Sequence, residues 1–246
     1  MAEGEDLVQA ALDHGARPVA LLLDEERLED VRPLLEATGD LAERYAVPAR
    51  LLTRASGLAA PPRAMAVLPQ PGPHHFRTVA FPPRLALYLA GVADPGNVGT
   101  LVRTAAALGC DWLALGPGSA DPYHPRAVRA AMGATYALPL LEGVAAGDLA
   151  TREGFAVVAA VAEGGAPPWS VDLTGPTVIA LGAERAGLAP VLGELGQLAD
   201  AASANWPNDR RPTLVTIPQA PGAESLNVAA AGAALLAEAL RQRLVT

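Results

Sequence analysis

Along the last two thirds of the chain, apolar residues come in short blocks at 85–90, 112–115, 156–161, 177–181 and 214–217. Between and after them, apolar positions recur at helical spacing over 98–108, 125–132 and 227–243. Short apolar blocks alternating with helical stretches predict an α/β fold: a mainly parallel sheet with helices on both faces. Ligands of such sheets bind in loops leaving the carboxyl ends of the strands. Earlier in the chain the pattern is weaker. It predicts a helix over 6–14, a strand over 19–23, and mostly helix over 25–45, interrupted at Pro33 and Gly39. Further strands are expected at 47–52 and 64–68, which makes a small α/β module. The proline-rich stretch 68–83 has little periodicity and reads as a linker. The expected division is a module over 1–70, a linker over 71–83 and a larger domain over 84–246.

One helical stretch departs from the usual amphipathic pattern. Residues 228–237 carry no polar side chain on any face. A helix apolar all round must be covered on every side, so a second subunit is expected against it.

Composition narrows the chemistry. The chain has 246 residues, 51% of them apolar and 18% charged, which excludes disorder. Mean hydropathy is +0.24, yet no uncharged apolar run reaches the roughly 18 residues of a membrane span. No secretory signal is visible, and the single cysteine, Cys110, excludes an internal disulfide framework or a multi-cysteine metal site. A cytoplasmic protein is expected. All 18 basic residues are arginines. Without lysine there is no Walker A loop, kinase lysine or Schiff base. The net charge of −8 argues against nucleic acid, but its distribution argues for it. Residues 1–43 carry twelve acids, whereas none occurs from Arg44 to Ala93. Arg50, Arg54 and Arg63 within that gap, with Arg129 further on, are candidate phosphate contacts. A solvated arginine surface is the alternative.

Three strand–loop–helix junctions carry the candidate chemistry. The first is Asp94-Pro95-Gly96-Asn97-Val98-Gly99, leading to Arg103. Asn97 reads as the N-cap of the helix and Gly109 as its stop. Arg103 is the only charge between Asp94 and Asp111, with small Gly99 and Ala106 on its face. Either a ligand approaches it closely, or it pairs with a nearby carboxylate. The second junction is Leu181-Gly182-Ala183-Glu184, with Gly187 following. Gly182 permits close backbone approach, and Glu184 suits either a site or a helix N-terminus. The third runs from Ile217-Pro218-Gln219 to Ser225-Leu226-Asn227, where Ser225 or Asn227 can cap the closing helix.

As a set, these segments resemble the SpoU/TrmH-type RNA 2′-O-ribose methyltransferases of the SPOUT superfamily, over residues 84–246. Asn97, Gly99 and Arg103 resemble the family's first motif, and Gly182, Glu184 and Gly187 its second. Ile217-Pro218 and Ser225-Leu226-Asn227 resemble its third. The resemblance implies a C-terminal trefoil knot and an L30e-like RNA-binding module at the N-terminus. It implies S-adenosylmethionine held around Leu181, Gly182, Ile217, Pro218 and Leu226. It implies Arg103 nearest the reacting hydroxyl, with Asn97, Glu184, Ser225 and Asn227 shaping the pocket. RNA, with ribosomal RNA favoured, a homodimer through the closing helix, and no metal or membrane complete the expectation. Gln219 stands where methionine is common and Ala131 where serine is common. The stretch 199–211 is longer than usual, and the family usually carries a further segment before Glu3-Gly4, so the expectation is either a module without its first strand or a start that is internal. The rivals are a non-catalytic knotted RNA-binding or assembly protein, tRNA as the methylated substrate, and a Rossmann-type methyltransferase. The last is disfavoured because no acidic-GxGxG loop follows the first strand.

Overall fold

The computed structural model describes residues 1–39, 42–72, 74–184, 187, 188, 191, 193 and 211–245. Six parallel strands form the main sheet: β5 (Leu85–Ala90), β6 (Trp112–Leu115), β7 (Leu140–Glu142), β8 (Ala156–Ala160), β9 (Thr177–Gly182) and β10 (Thr213–Val215). Their order across the sheet is β10-β8-β9-β5-β6-β7. The central strand β5 is buried on both faces, which is why its sequence shows no alternation. Leu85, Leu87 and Leu89 meet the helices α4 (Pro95–Ala107) and α8 (Val228–Val245) on one side. Ala86, Tyr88 and Ala90 face the other side, where α7 (Ala146–Ala150) contributes Leu149. Two short helices, α5 (Pro125–Ala131) and α6 (Ala134–Ala137), complete this region.

The smaller sheet has strand order β1-β4-β2-β3. Its strands are β1 (Ala2–Glu3), β2 (Ala20–Asp24), β3 (Glu43–Val47) and β4 (Ala64–Val67), with helices α1 (Glu5–Asp13), α2 (Arg32–Thr38) and α3 (Ala49–Ala55). Here the pattern misleads. The end of the helix expected over 25–45 is strand β3, which pairs in parallel with β2, Tyr45 opposite Leu22. Pro33 sits in the first turn of α2, where its missing N–H costs nothing, so it starts the helix instead of interrupting it. The strand expected at 47–52 is helix α3, which follows Pro48 and buries Leu52.

The proline-rich stretch is not a free linker. Phe76, Val79 and Phe81 pack on the open face of the main sheet. The indole of Trp112 donates to the Ala80 carbonyl at 3.0 Å, and the Arg152 guanidinium lies 4.0 Å over the Phe76 ring. Prolines hide such a segment from periodicity without preventing its aromatic residues from docking.

Strand β10 is flanked on both edges by one continuous segment. On one edge it pairs with β8, and Val161 N–H donates to the Val215 carbonyl. On the other, Ala166 N–H donates to the Leu214 carbonyl and its own carbonyl accepts from Thr216 N–H. The rest of the expected knot depends on 189–210, most of which, like the long stretch 199–210, lies outside the described residues. Among the described residues no helix is long and apolar enough to cross a membrane.

Candidate functional site

Helix α4 begins three residues before the sequence pattern suggests. Its N-cap is Asp94, whose carboxylate accepts from Asn97 N–H at 3.0 Å, with Pro95 in the first turn. Asn97 is therefore not the cap, and its side chain is available for other partners. Its Nδ2–H donates to Glu184 Oε1 at 2.8 Å. Its Oδ1 accepts from Asn227 Nδ2 at 3.0 Å. Asn227 Oδ1 in turn accepts from the N–H groups of Ala229 and Ala230, at 2.8 and 3.3 Å, and so caps α8. One hydrogen-bonded chain thus joins all three junctions, and Asn227 serves both as cap and as part of that chain.

Beside this chain, at the carboxyl ends of β8, β9 and β10, a cleft of about 350 Å³ opens. Leu181, Gly182 and Glu184 form one wall; Ile217, Ser225, Leu226 and Asn227 form another. Ala160, Val161 and Ala162, at the end of β8, close a third side and carry no motif in the sequence. Only the rule that parallel sheets bind at strand carboxyl ends points to them. Pro218, expected at the cleft, is exposed and does not line it. Glu184 is the charged side chain among the described lining residues, so the cleft is apolar with a negative rim. Leu226 stays 43% exposed over it.

Two of the motif glycines are packed by the chain itself. A Cβ on Gly182 would stand 2.2 Å from the carbonyl carbon of Gly187, so its smallness admits the chain's own return while its backbone lines the cleft. Gly187, at φ +59°, turns back to bridge Ala183. A Cβ on Gly99 would lie 2.1 Å from the Ala127 carbonyl oxygen, so Gly99 seats α5 against α4 and opens no space beside Arg103.

Arg103 is exposed on the outer side of α4 and forms no ion pair or hydrogen bond among the described residues. It does not line the cleft of its own chain. Arg50 and Arg54 are exposed on α3 and likewise carry no ion pair among the described residues. Arg63 pairs with Glu5 at 3.1 Å. Arg129 departs furthest from expectation: it pairs at 2.6 Å with Glu3, whose side chain is buried, and faces the smaller module instead of solvent. Cys110 is no nucleophile, because burial pushes its thiol up to about 12. No group of three or more metal-ligating His, Cys, Asp or Glu side chains occurs among the described residues.

With this geometry established, comparison with known proteins is specific. Residues 84–199 match the model of the SpoU rRNA Methylase family. The 23S rRNA (uridine(2479)-2′-O)-methyltransferase of Streptomyces viridochromogenes is 29% identical over 96% of this chain and 80% of its own length. An uncharacterised tRNA/rRNA methyltransferase of Mycobacterium tuberculosis is 32% identical over 98% and 80%. An uncharacterised tRNA/rRNA methyltransferase of Synechocystis is 35% identical, but the match spans only 65% of this chain and 54% of that one. Among solved structures, the SpoU methyltransferase AviRb of Streptomyces viridochromogenes in complex with AdoMet superposes with a TM-score of 0.78 at 28% identity, covering 98% of this chain and 89% of that one.

Proposed function

The chain belongs to the SpoU rRNA methylase family, and from that premise we propose that it is an S-adenosylmethionine-dependent RNA ribose 2′-O-methyltransferase acting on ribosomal RNA. The observation that carries this reading is the Glu184–Asn97–Asn227 chain of hydrogen bonds beside the cleft at the strand ends. The lining suits the cofactor. Leu181, Ile217 and Leu226 offer apolar surface to a flat ring, and Glu184 offers a negative charge to a cationic ligand. Leu181, Gly182, Ile217 and Leu226 would hold it, and when bound it supplies an electrophilic methyl group.

The protein's own part is to orient a ribose 2′-hydroxyl in line and to handle its proton. Asn97 and Asn227 hold Glu184 in place, and Glu184 and Ser225 shape the cleft mouth. Arg103 fixes the hydroxyl and stabilises the developing alkoxide. Because Arg103 does not line its own chain's cleft, a homodimer through α8, or the bound RNA itself, completes the site. The module over 1–70 takes the RNA, with Arg50 and Arg54 as phosphate contacts, and the work is cytoplasmic.

The test is transfer of a labelled methyl group from S-adenosylmethionine to unmodified 23S rRNA transcript, with tRNA in a parallel arm and the product mapped for 2′-O-methylation. Incorporation at a ribose of the ribosomal RNA is expected. Incorporation into tRNA alone would overturn the substrate. Cofactor binding without transfer to either RNA would leave a non-catalytic RNA-binding protein.

A further inference from the structure

Helix α5 has two faces, and they grip different parts of the molecule. Toward the main domain, Arg126 pairs with Asp94, the N-cap of α4, at 3.2 Å. The Ala127 carbonyl occupies the space left by Gly99 on the same helix. Toward the smaller module, Val128 is buried within that module's own hydrophobic core, beside Ala2, Leu7 and Val8. Arg129 bonds the buried Glu3 of β1 through Nη1, and its guanidinium packs so closely on Gly57 that a Cβ there would lie 3.2 Å from Nη1. At the end of α5, Met132 adopts a left-handed backbone and Gly133 presses on Ala10 of α1. Elsewhere the junction is open: a cleft of about 380 Å³, lined by Asp6, Pro61, Pro62 and Met132 among others, runs beside Arg129.

We infer that Arg129 and Glu3 form a positioning strut, which sets the orientation of the RNA-binding module relative to Asn97 and Arg103 through α5. This inference rests on the methyltransferase reading above and adds two positioning residues to it. A partly buried ion pair suits such a role. It adds little net stability as a pair, but it is directional, and removing either partner strands the other. The path is short and contiguous: Glu3, Arg129, α5, then Arg126 to Asp94, the residue that caps α4 and frees Asn97.

The experiment compares wild type with Arg129→Met, Glu3→Gln and the double variant. Melting temperature and S-adenosylhomocysteine calorimetry confirm that the fold and the cleft persist. Methyl transfer to 23S rRNA transcript is expected to show kcat lowered at least about tenfold in each single variant, since small misplacements of substrate are costly. RNA affinity should stay within about twofold, and the double variant should be no worse than either single one, as for residues acting as a unit. Electron–electron distance measurements between spin labels at Ala55→Cys and Thr151→Cys should broaden in all three variants. If Arg129 touched RNA directly, Arg129→Met would weaken RNA binding while Glu3→Gln, which frees the guanidinium, would not; that result overturns the strut. Unchanged kcat with an unchanged distance distribution overturns it as well. The distance measurement needs no activity, so a wild type that transfers no methyl group would refute the methyltransferase reading while the strut was still judged by the labels.

Discussion

Asn97 donates its Nδ2–H to Glu184 Oε1 at 2.8 Å, and so ties the start of α4 to the loop after β9. Asp94 already caps the helix, so this amide has no duty at the helix end. An aspartate in its place can still accept from Asn227 but cannot donate to Glu184, and it sets two carboxylates against each other. Asn97→Asp is expected to lower methyl transfer about tenfold at pH 8, equivalent to ~1.4 kcal/mol. The like-charge pair favours protonation of one member, which restores a donor. The ratio of variant to wild-type activity should therefore rise as pH falls toward 5. A ratio flat across pH would contradict the bond's role, and Asn97→Ala provides the pH-independent control.

Gly182 and Gly187 make a second prediction. With 2.2 Å between the missing Cβ and the Gly187 carbonyl carbon, Gly182→Ala forces the return of the chain outward. Overpacking of this kind costs roughly 1–3 kcal/mol. The ligand response should suffer more than the fold. S-adenosylhomocysteine should raise the melting temperature of the wild type by mass action and leave the variant's nearly unmoved. An equal rise in both would separate this turn from the cofactor cleft.

The main sheet was legible because fully buried parallel strands are short apolar blocks, and those at 85–90 and 112–115 coincide with β5 and β6. The smaller module was not. Arg44, Tyr45 and Ala46 form an exposed edge strand that buries nothing, so no apolar pattern marks it. β7, α6 and α7 are too short for any period to appear. At the site, residue identity pointed to Asn97, Glu184 and Asn227, but only the position of Asp94 reveals how they connect. The Arg129–Glu3 pair was not legible because the two residues lie 126 positions apart in sequence.

Arg50 and Arg54 are exposed on α3, whereas Arg63 is held by Glu5. Replacing both exposed arginines with alanine should weaken binding to ribosomal RNA. It should also reduce the slope of log affinity against log salt by about 0.7 for each lost contact on single-stranded RNA. Arg63→Ala should change the slope less than either. Calorimetry with S-adenosylhomocysteine should be unaffected. A double variant with the wild-type salt slope would make these arginines ordinary surface residues.

Helix α8 packs Leu235, Leu236 and Ala239 into the core, and a Cβ on Gly232 would lie 2.4 Å from Leu101. Its opposite side leaves Ala230, Ala234 and Ala237 exposed on the single chain. A homodimer covering that side predicts a sedimenting mass of about twice the 25.1 kDa chain at micromolar concentration. Ala234→Glu sits on solvent in the single chain, so it should yield a folded monomer. In a dimer the same carboxylate is buried without a partner, at a cost of several kcal/mol. A monomeric wild type, or a dimeric Ala234→Glu, would contradict the assembly.

Arg103 is the most exacting case, because the structure gives it no structural partner among the described residues. An arginine held only for stability would be expected to bond a carboxylate or a helix end, and its loss would lower the melting temperature. Exposed and unpaired, Arg103 predicts the opposite. Arg103→Ala should melt within about 0.5 kcal/mol of wild type, as surface substitutions do. It should bind S-adenosylhomocysteine normally, and yet it should lose methyl transfer by two or more orders of magnitude, on the order of 3 kcal/mol of transition-state stabilisation. Arg103→Lys keeps the charge but not the planar two-point contact, so it should recover only part of the rate. If the guanidinium stabilises the alkoxide without accepting its proton, the residual activity of both variants should rise with pH in parallel with wild type. Wild-type activity in Arg103→Ala would place the chemistry elsewhere on the cleft rim, with Glu184 the next residue to replace.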